Sequence, residues 1–176
     1  MEERLKLLKE GNQQAFEKFV IEYRKEAVNF AVSILKDYHI AEDIVQDSFA
    51  FIYVYRERIR DYSTLKSYLF SIIHNKAVDY IRKNNRNINL DLDAISTFSP
   101  DSPEEQILNK EREKSFIRSF NNLNEKYKVV LYLYAFQELS YREISEVMGV
   151  SLAQVKINIF RGRKKLKSLY NEEINQ

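Results

Sequence analysis

Cysteine and tryptophan are absent from this 176-residue chain, and it has only 3 glycines and 2 prolines. Without cysteine there is no disulfide, no thiolate metal ligand and no cysteine nucleophile. Glycine and proline punctuate turns, so their scarcity leaves little room for a turn-rich β architecture and points to helices throughout. No apolar run approaches the ~20 residues needed to cross a bilayer. The opening segment MEERLKLLKEGN is charged and amphipathic and lacks the apolar core of a signal peptide. A phosphate-cradling glycine loop is missing, and His39 and His74 have no companion at metal-ligand spacing. These absences argue against catalysis, secretion and membrane insertion. The expectation is a cytoplasmic chain with no cofactor, no metal, no enzymatic activity and no membrane contact of its own.

What is abundant is aromatic and charged. The chain carries 12 Tyr, 11 Phe and 44% hydrophobic residues, ample for packed cores. Its net charge of +2 is unevenly spread. Residues 1–86 hold 15 basic and 13 acidic side chains, 87–111 hold 1 and 6, and 112–176 hold 12 and 7. A basic terminal unit behind an acidic strip suggests separate surfaces for separate partners.

The acidic stretch NNRNINLDLDAISTFSPDSPEE contains both prolines and many Asn, Asp and Ser, and it lacks helical periodicity. It reads as a linker. Upstream, Ala15, Phe16, Phe19, Val20 and Tyr23 form an apolar stripe continued by Val28, Ala31, Val32 and Leu35. A helix from about Ile40 presents Ile44, Val45, Ser48, Phe49, Ile52 and Tyr55 on one face. Arg60 to Thr64 is a short loop, and a third helix runs from about Leu65 to Lys83. Downstream, helices are expected over Glu104–Leu123 and Glu125–Gln137. The fold class is therefore all-α: two small helical domains, 1–86 and 107–176, joined by a flexible acidic linker at 87–106.

The most informative segment is Leu139 to Leu169. Ser140 precedes Glu143 by three, and Ser151 precedes Gln154 by three, so each pair fits a capping box. Gly149 between them suits the left-handed end of a helix. A short helix, a tight turn and a second helix make a helix-turn-helix, whose second helix enters the DNA major groove. That helix has an apolar stripe of Val155, Ile159, Gly162, Leu166 and Leu169. Lys156, Arg161, Arg163, Lys164, Lys165 and Lys167 lie on its other faces, where they can meet phosphates.

Taken together, the motifs resemble a sigma factor of the extracytoplasmic-function type. AEDIVQDSFAFIYVYRERIRDY resembles that family's polymerase-binding helix, and SYLFSIIHNKAVDYIRKNNR its promoter-melting helix. LNEKYKVVLYLYAFQELSYREISEVMGVSLAQVKINIFRGRKKLK resembles the region that reads the upstream promoter element. The resemblance implies a non-enzymatic role: to bring core RNA polymerase to chosen promoters and help open the DNA. The implied partners are core RNA polymerase, promoter DNA as duplex and as unwound strand, and an anti-sigma factor. It places Asp43, Gln46 and Asp47 against the polymerase. Asp61, Tyr62 and Ser63 fall in the base-capturing loop, Tyr68 and Asn75 face unstacked bases, and Arg82, Lys83 and Arg86 hold phosphates. Tyr68, Phe70 and Tyr80 can equally be core. The upstream element falls to Ser151, Ala153, Lys156, Ile157, Phe160, Arg161 and Lys164, with Arg161 the candidate for guanine. The chain departs from the family at Ile157-Asn158, where Ser-Arg is common, and at Gly162, where alanine is common. Ile157 suits either a thymine methyl or a second core contact. The resemblance implies that the acidic linker lies in the polymerase channel that later carries RNA; by composition it can equally be a solvated spacer. The alternative is a dimeric helix-turn-helix regulator that binds operator DNA without polymerase.

Overall fold

The computed structural model describes residues 2–59, 61, 64–84 and 103–174. Among them the chain is helical, with no strand. The first half contains α1 (Glu2–Lys9), α2 (Gln13–Leu35), α3 (Tyr38–Val54), a 3-10 turn at Arg56–Arg58 and α4 (Leu65–Asn84). The second contains α5 (Pro103–Asn121), α6 (Glu125–Ala135), α7 (Tyr141–Met148) and α8 (Leu152–Ile174). Helix α5 begins four residues inside the stretch assigned to the linker. Residues 87–102, which hold most of the linker's acids, lie outside the described residues.

Polar caps set the helix starts. Asn12 accepts the Ala15 amide at 3.0 Å, and Asp37 accepts the Ile40 amide at 3.0 Å. Each satisfies one of the amides that a helix N-terminus leaves unpaired. Lys36 closes α2 in the left-handed region (φ 59°), its amide bonded to Val32 O. This lets α3 fold back along α2. Phe19 meets Phe49 edge-on at 5.6 Å and Phe30 meets Phe70 at 5.1 Å, with Ile52, Leu69 and Ile73 buried around them. Phe70 is thus core, Tyr80 is half-buried, and Tyr68 is partly exposed. Tyr55, expected on the apolar face of α3, lies instead at the exposed end of the helix against Phe51, ring centroids 4.5 Å apart.

In the second half α6, α7 and α8 enclose Val129, Val130, Leu133, Ile144, Val147, Val155 and Ile159. Lys128 is 2% exposed, and its ammonium donates to Asn121 O at 2.7 Å, pinning the α5–α6 turn. The two halves are not separate bodies. Helix α7 packs along α4, and α6 packs against α2. Lys66 Nζ donates to Gln137 O at 2.7 Å, Tyr132 OH donates to Glu26 O at 3.3 Å, and the Phe30 and Tyr132 rings lie 5.4 Å apart. Burial in this seam raises the pKa of the Tyr132 phenol.

The same seam holds Lys36 beside Lys128. Burial first, then the neighbouring like charge of Lys128, lower Lys36 from 10.5 to about 8, and Glu125 pulls the other way. Between about pH 8 and 10.5 the unfolded chain keeps a proton that the folded chain has lost. Stability from this group therefore rises with pH across that window, and its penalty is full below it. Urea unfolding at pH 7.5, 8.5 and 9.5 should show the wild-type midpoint rising relative to Lys36→Met. Parallel pH profiles would exclude a destabilising, half-buried ammonium at this position.

Candidate nucleic-acid and polymerase interfaces

Helix α3 buries Ala41, Val45, Ser48, Phe49 and Ile52, and that choice fixes what it presents outward. Asp43, Gln46 and Asp47 recur at three- and four-residue spacing and are all exposed. Asp47 is not a free acid, because Lys76 of α4 reaches it at 3.2 Å. Glu42 of the same helix pairs with Arg24 of α2. Such exposed pairs contribute little stability but fix the orientation of the face. Near its C-terminus the helix carries a cluster that sequence reasoning missed. Phe51, Tyr53, Val54 and Tyr55 are exposed, Arg56 stacks on Tyr53 at 4.9 Å and Arg58 on Tyr55 at 4.7 Å. Its signal was the run of aromatics with alternating arginines just beyond the apolar stripe.

Helix α4 has a mixed surface. Asn75, Arg82 and Lys83 are exposed, whereas Ile73 and Ala77 are buried. Arg82 leans on Asp79 at 3.6 Å. His74 has a buried Nδ1 without a partner among the described residues. Burial lowers its pKa, and a hydrogen bond with Asn75 partly offsets this. A neutral imidazole next to Asn75 adds no charge there. Asp61 is exposed; Tyr62, Ser63 and Arg86 lie outside the described residues.

Tyr68 stands in a cleft of about 350 Å³ lined by Arg58, Ile59, Thr64, Ser67, Ser71 and, from α7, Glu146 and Val147. The first helix of the helix-turn-helix thus forms one wall beside the face expected to hold unwound DNA. No group of His, Cys, Asp and Glu suited to a metal occurs among the described residues.

The helix-turn-helix closes as the sequence predicts at its first half. Ser140 Oγ accepts the Glu143 amide at 3.3 Å, and Glu143 accepts the Ser140 amide at 2.8 Å, completing the box. Gly149 takes φ 63°, and a side chain there would meet nothing within 4 Å, so its role is conformational rather than steric. The second box is not completed. The Gln154 amide donates to Ser151 Oγ at 3.2 Å, but the Gln154 side chain turns forward and donates to Asn158 Oδ1 at 2.9 Å. Asn158 is buried and its amide needs a partner, which outweighs the return to an exposed backbone amide.

Val155, Ile159 and Gly162 of α8 are buried as expected, while Leu166 and Leu169 are half-buried. At Gly162 a Cβ would lie 3.1 Å from Leu131 Cδ1 and 3.3 Å from Tyr127 Cβ, so glycine lets α6 and α8 approach closely. Opposite this stripe Ser151, Ala153, Lys156, Ile157, Phe160, Arg161 and Lys164 are all exposed. Ile157 is 42% exposed and Phe160 71%, so neither is a core contact. Arg163 lies over the Tyr134 ring at 4.8 Å. One helix thus offers an apolar and cationic outer face, and a DNA major groove admits an α-helix.

Residues 19–87 match the family description Sigma-70 region 2, and residues 114–166 match Sigma-70, region 4. The ECF RNA polymerase sigma factor SigM of Bacillus subtilis (strain 168) is 33% identical over 156 residues, covering 87% of this chain and 93% of that protein. SigW of the same organism is 29% identical over 177 residues, covering 95% of each. Among solved structures, the sigma factor RpoE in complex with the anti-sigma factor NepR from Bartonella quintana superposes with a TM-score of 0.73. It shares 22% identity and covers 89% of this chain and 96% of that one, so the likeness concerns the fold. The two matched regions fall on the two helical halves in order, and the identity to SigM spans nearly all of both chains: the chain belongs to the ECF RNA polymerase sigma factor family.

Proposed function

We propose that this sigma factor divides promoter recognition among three helices. The exposed Asp43, Gln46 and Asp47 face of α3 holds core RNA polymerase. Helix α4 captures the unwound strand through Asn75 with Tyr68, Arg82 and Lys83. Helix α8 reads the upstream element through Arg161, with Lys156 and Lys164 on phosphates. The observation that carries this reading is the order of three chemically distinct exposed faces along one chain: acidic on α3, amide and cation on α4, cation and apolar on α8. Asn75 carries a donor and an acceptor, the pair needed to read a base edge. Arg161 presents a planar fork that fits the two major-groove acceptors of guanine. The regulator alternative accounts for the second half alone and leaves the region 2 match without a role.

The protein acts in the cytoplasm, where its relatives' polymerase works, and it catalyses no covalent step. Among the described residues no helix is long and apolar enough to cross a membrane. An anti-sigma protein is its proposed inhibitory partner, since the fold neighbour RpoE was solved with the anti-sigma factor NepR. Tyr62, Ser63 and Arg86 keep their proposed DNA roles on the resemblance alone.

Runoff transcription with purified core polymerase tests the whole reading. Specific starts are expected with polymerase present, and only weak duplex binding without it. Tight binding of the isolated protein to a two-fold symmetric site would favour the regulator instead.

Asp43→Lys combined with Asp47→Asn should weaken binding to core polymerase. The pairing with Lys76 is exposed, so stability should change by no more than about 1 kcal/mol. A titration with unchanged affinity in the folded double variant would remove these carboxylates from the interface. Asn75→Ala should leave polymerase affinity and stability intact, because alanine is the better helix former. It should reduce strand opening or shift base preference at the downstream element, which permanganate footprinting reads directly. Unaltered opening and preference would make Asn75 an ordinary surface residue.

A further inference from the structure

Upstream recognition as proposed leaves one feature of α8 unexplained, the pairing of Gln154 with Asn158. Asn158 is 4% exposed, at the margin of the stripe formed by Val155, Ile159 and Gly162. A buried amide in such a place costs stability unless it is bonded. Its Oδ1 accepts from Gln154 Nε2 at 2.9 Å. Gln154, by contrast, is exposed in the first turn of the helix. Its backbone amide is already satisfied by Ser151 Oγ.

A primary amide has two hydrogens and one oxygen. With the hydrogen anti to the oxygen given to Asn158, the syn hydrogen and the oxygen would stay side by side as an edge for a further partner. That edge matches adenine in the major groove, whose N7 accepts and whose N6 amino group donates. Holding the side chain in advance also reduces the rotamer freedom lost on binding. At 100° per residue, Gln154 lies within about 20° of Arg161 around the helix and about 10 Å before it along the axis. The two side chains therefore face the same groove and reach different base pairs.

We propose that Gln154 reads an adenine in the upstream promoter element and that Asn158, from its buried position, is the residue that positions it. The proposal rests on the reading that α8 lies in the upstream major groove.

The test uses holoenzyme assembled from core polymerase and the full chain, transcribing a promoter library randomised over the upstream element, with transcripts counted by sequencing. The wild type should prefer adenine at one position by roughly tenfold or more. Gln154→Ala, an exposed substitution, should abolish that preference and leave the other positions unchanged. Asn158→Leu removes the acceptor at similar size and should lower the preference at the same base pair. Asn158→Asp keeps an acceptor and should retain it. A merely structural Asn158 would lower all templates by one factor. If upstream preferences exist and Gln154→Ala leaves them intact or weakens them evenly, the proposal is overturned while upstream reading by α8 stands. If the wild type shows promoter starts with no upstream preference at all, the role of α8 and this proposal fail together.

Discussion

Helix α8 has to satisfy two environments at once, and the second half of the molecule is arranged around that constraint. Val155, Ile159 and Gly162 must disappear into the bundle for the helix to be held at all. The opposite face must stay free of core contacts so that Phe160, Arg161 and Lys164 remain available. A helix that turns 3.6 residues per turn allows this only if the buried stripe is narrow. Gly162 keeps it narrow by bringing α8 close to Leu131 and Tyr127 on α6, so that little side-chain bulk separates the two backbones. The short α7, capped at both ends, sets the angle at which α8 leaves the turn.

The elements that were legible in the sequence are those governed by local rules. Ser140 with Glu143 and Gly149 announce a helix and its end because their bonds run between residues three to five apart. The stripes of α2 to α4 follow from periodicity. What escaped are contacts made across large separations by residues without a pattern. Tyr132, Lys66 and Gln137 look like ordinary surface residues until the chain brings α6 and α7 against α2 and α4. The forward turn of Gln154 escaped for another reason: two local partners compete for one amide, and burial of Asn158 decides between them. Tyr55 was misplaced because an apolar ring at a helix end can complete either the core or the surface, and here it stacks with Phe51 and Arg58.

Charge is distributed with similar economy. The acids of α3 and the cations of α4 belong to different proposed surfaces, yet Asp47 and Lys76 are tied to each other across the two helices. Each moderates the field of the other. Lys128, by contrast, is taken out of solvent and held by Asn121 O, where it serves the α5–α6 turn.

The seam between the halves has a thermodynamic consequence for any partner that needs the surface it covers. A partner that needs surface now shared by α4 and α7 can bind only the fraction of molecules in which the halves have parted. Its apparent affinity is reduced by that fraction, whatever the quality of the contacts it makes afterwards. A change at Tyr132 or Lys66 would then alter affinity for a partner that touches neither residue, by shifting how often the molecule stands open. The seam therefore works as a threshold: its strength sets how favourable an encounter must be before it counts.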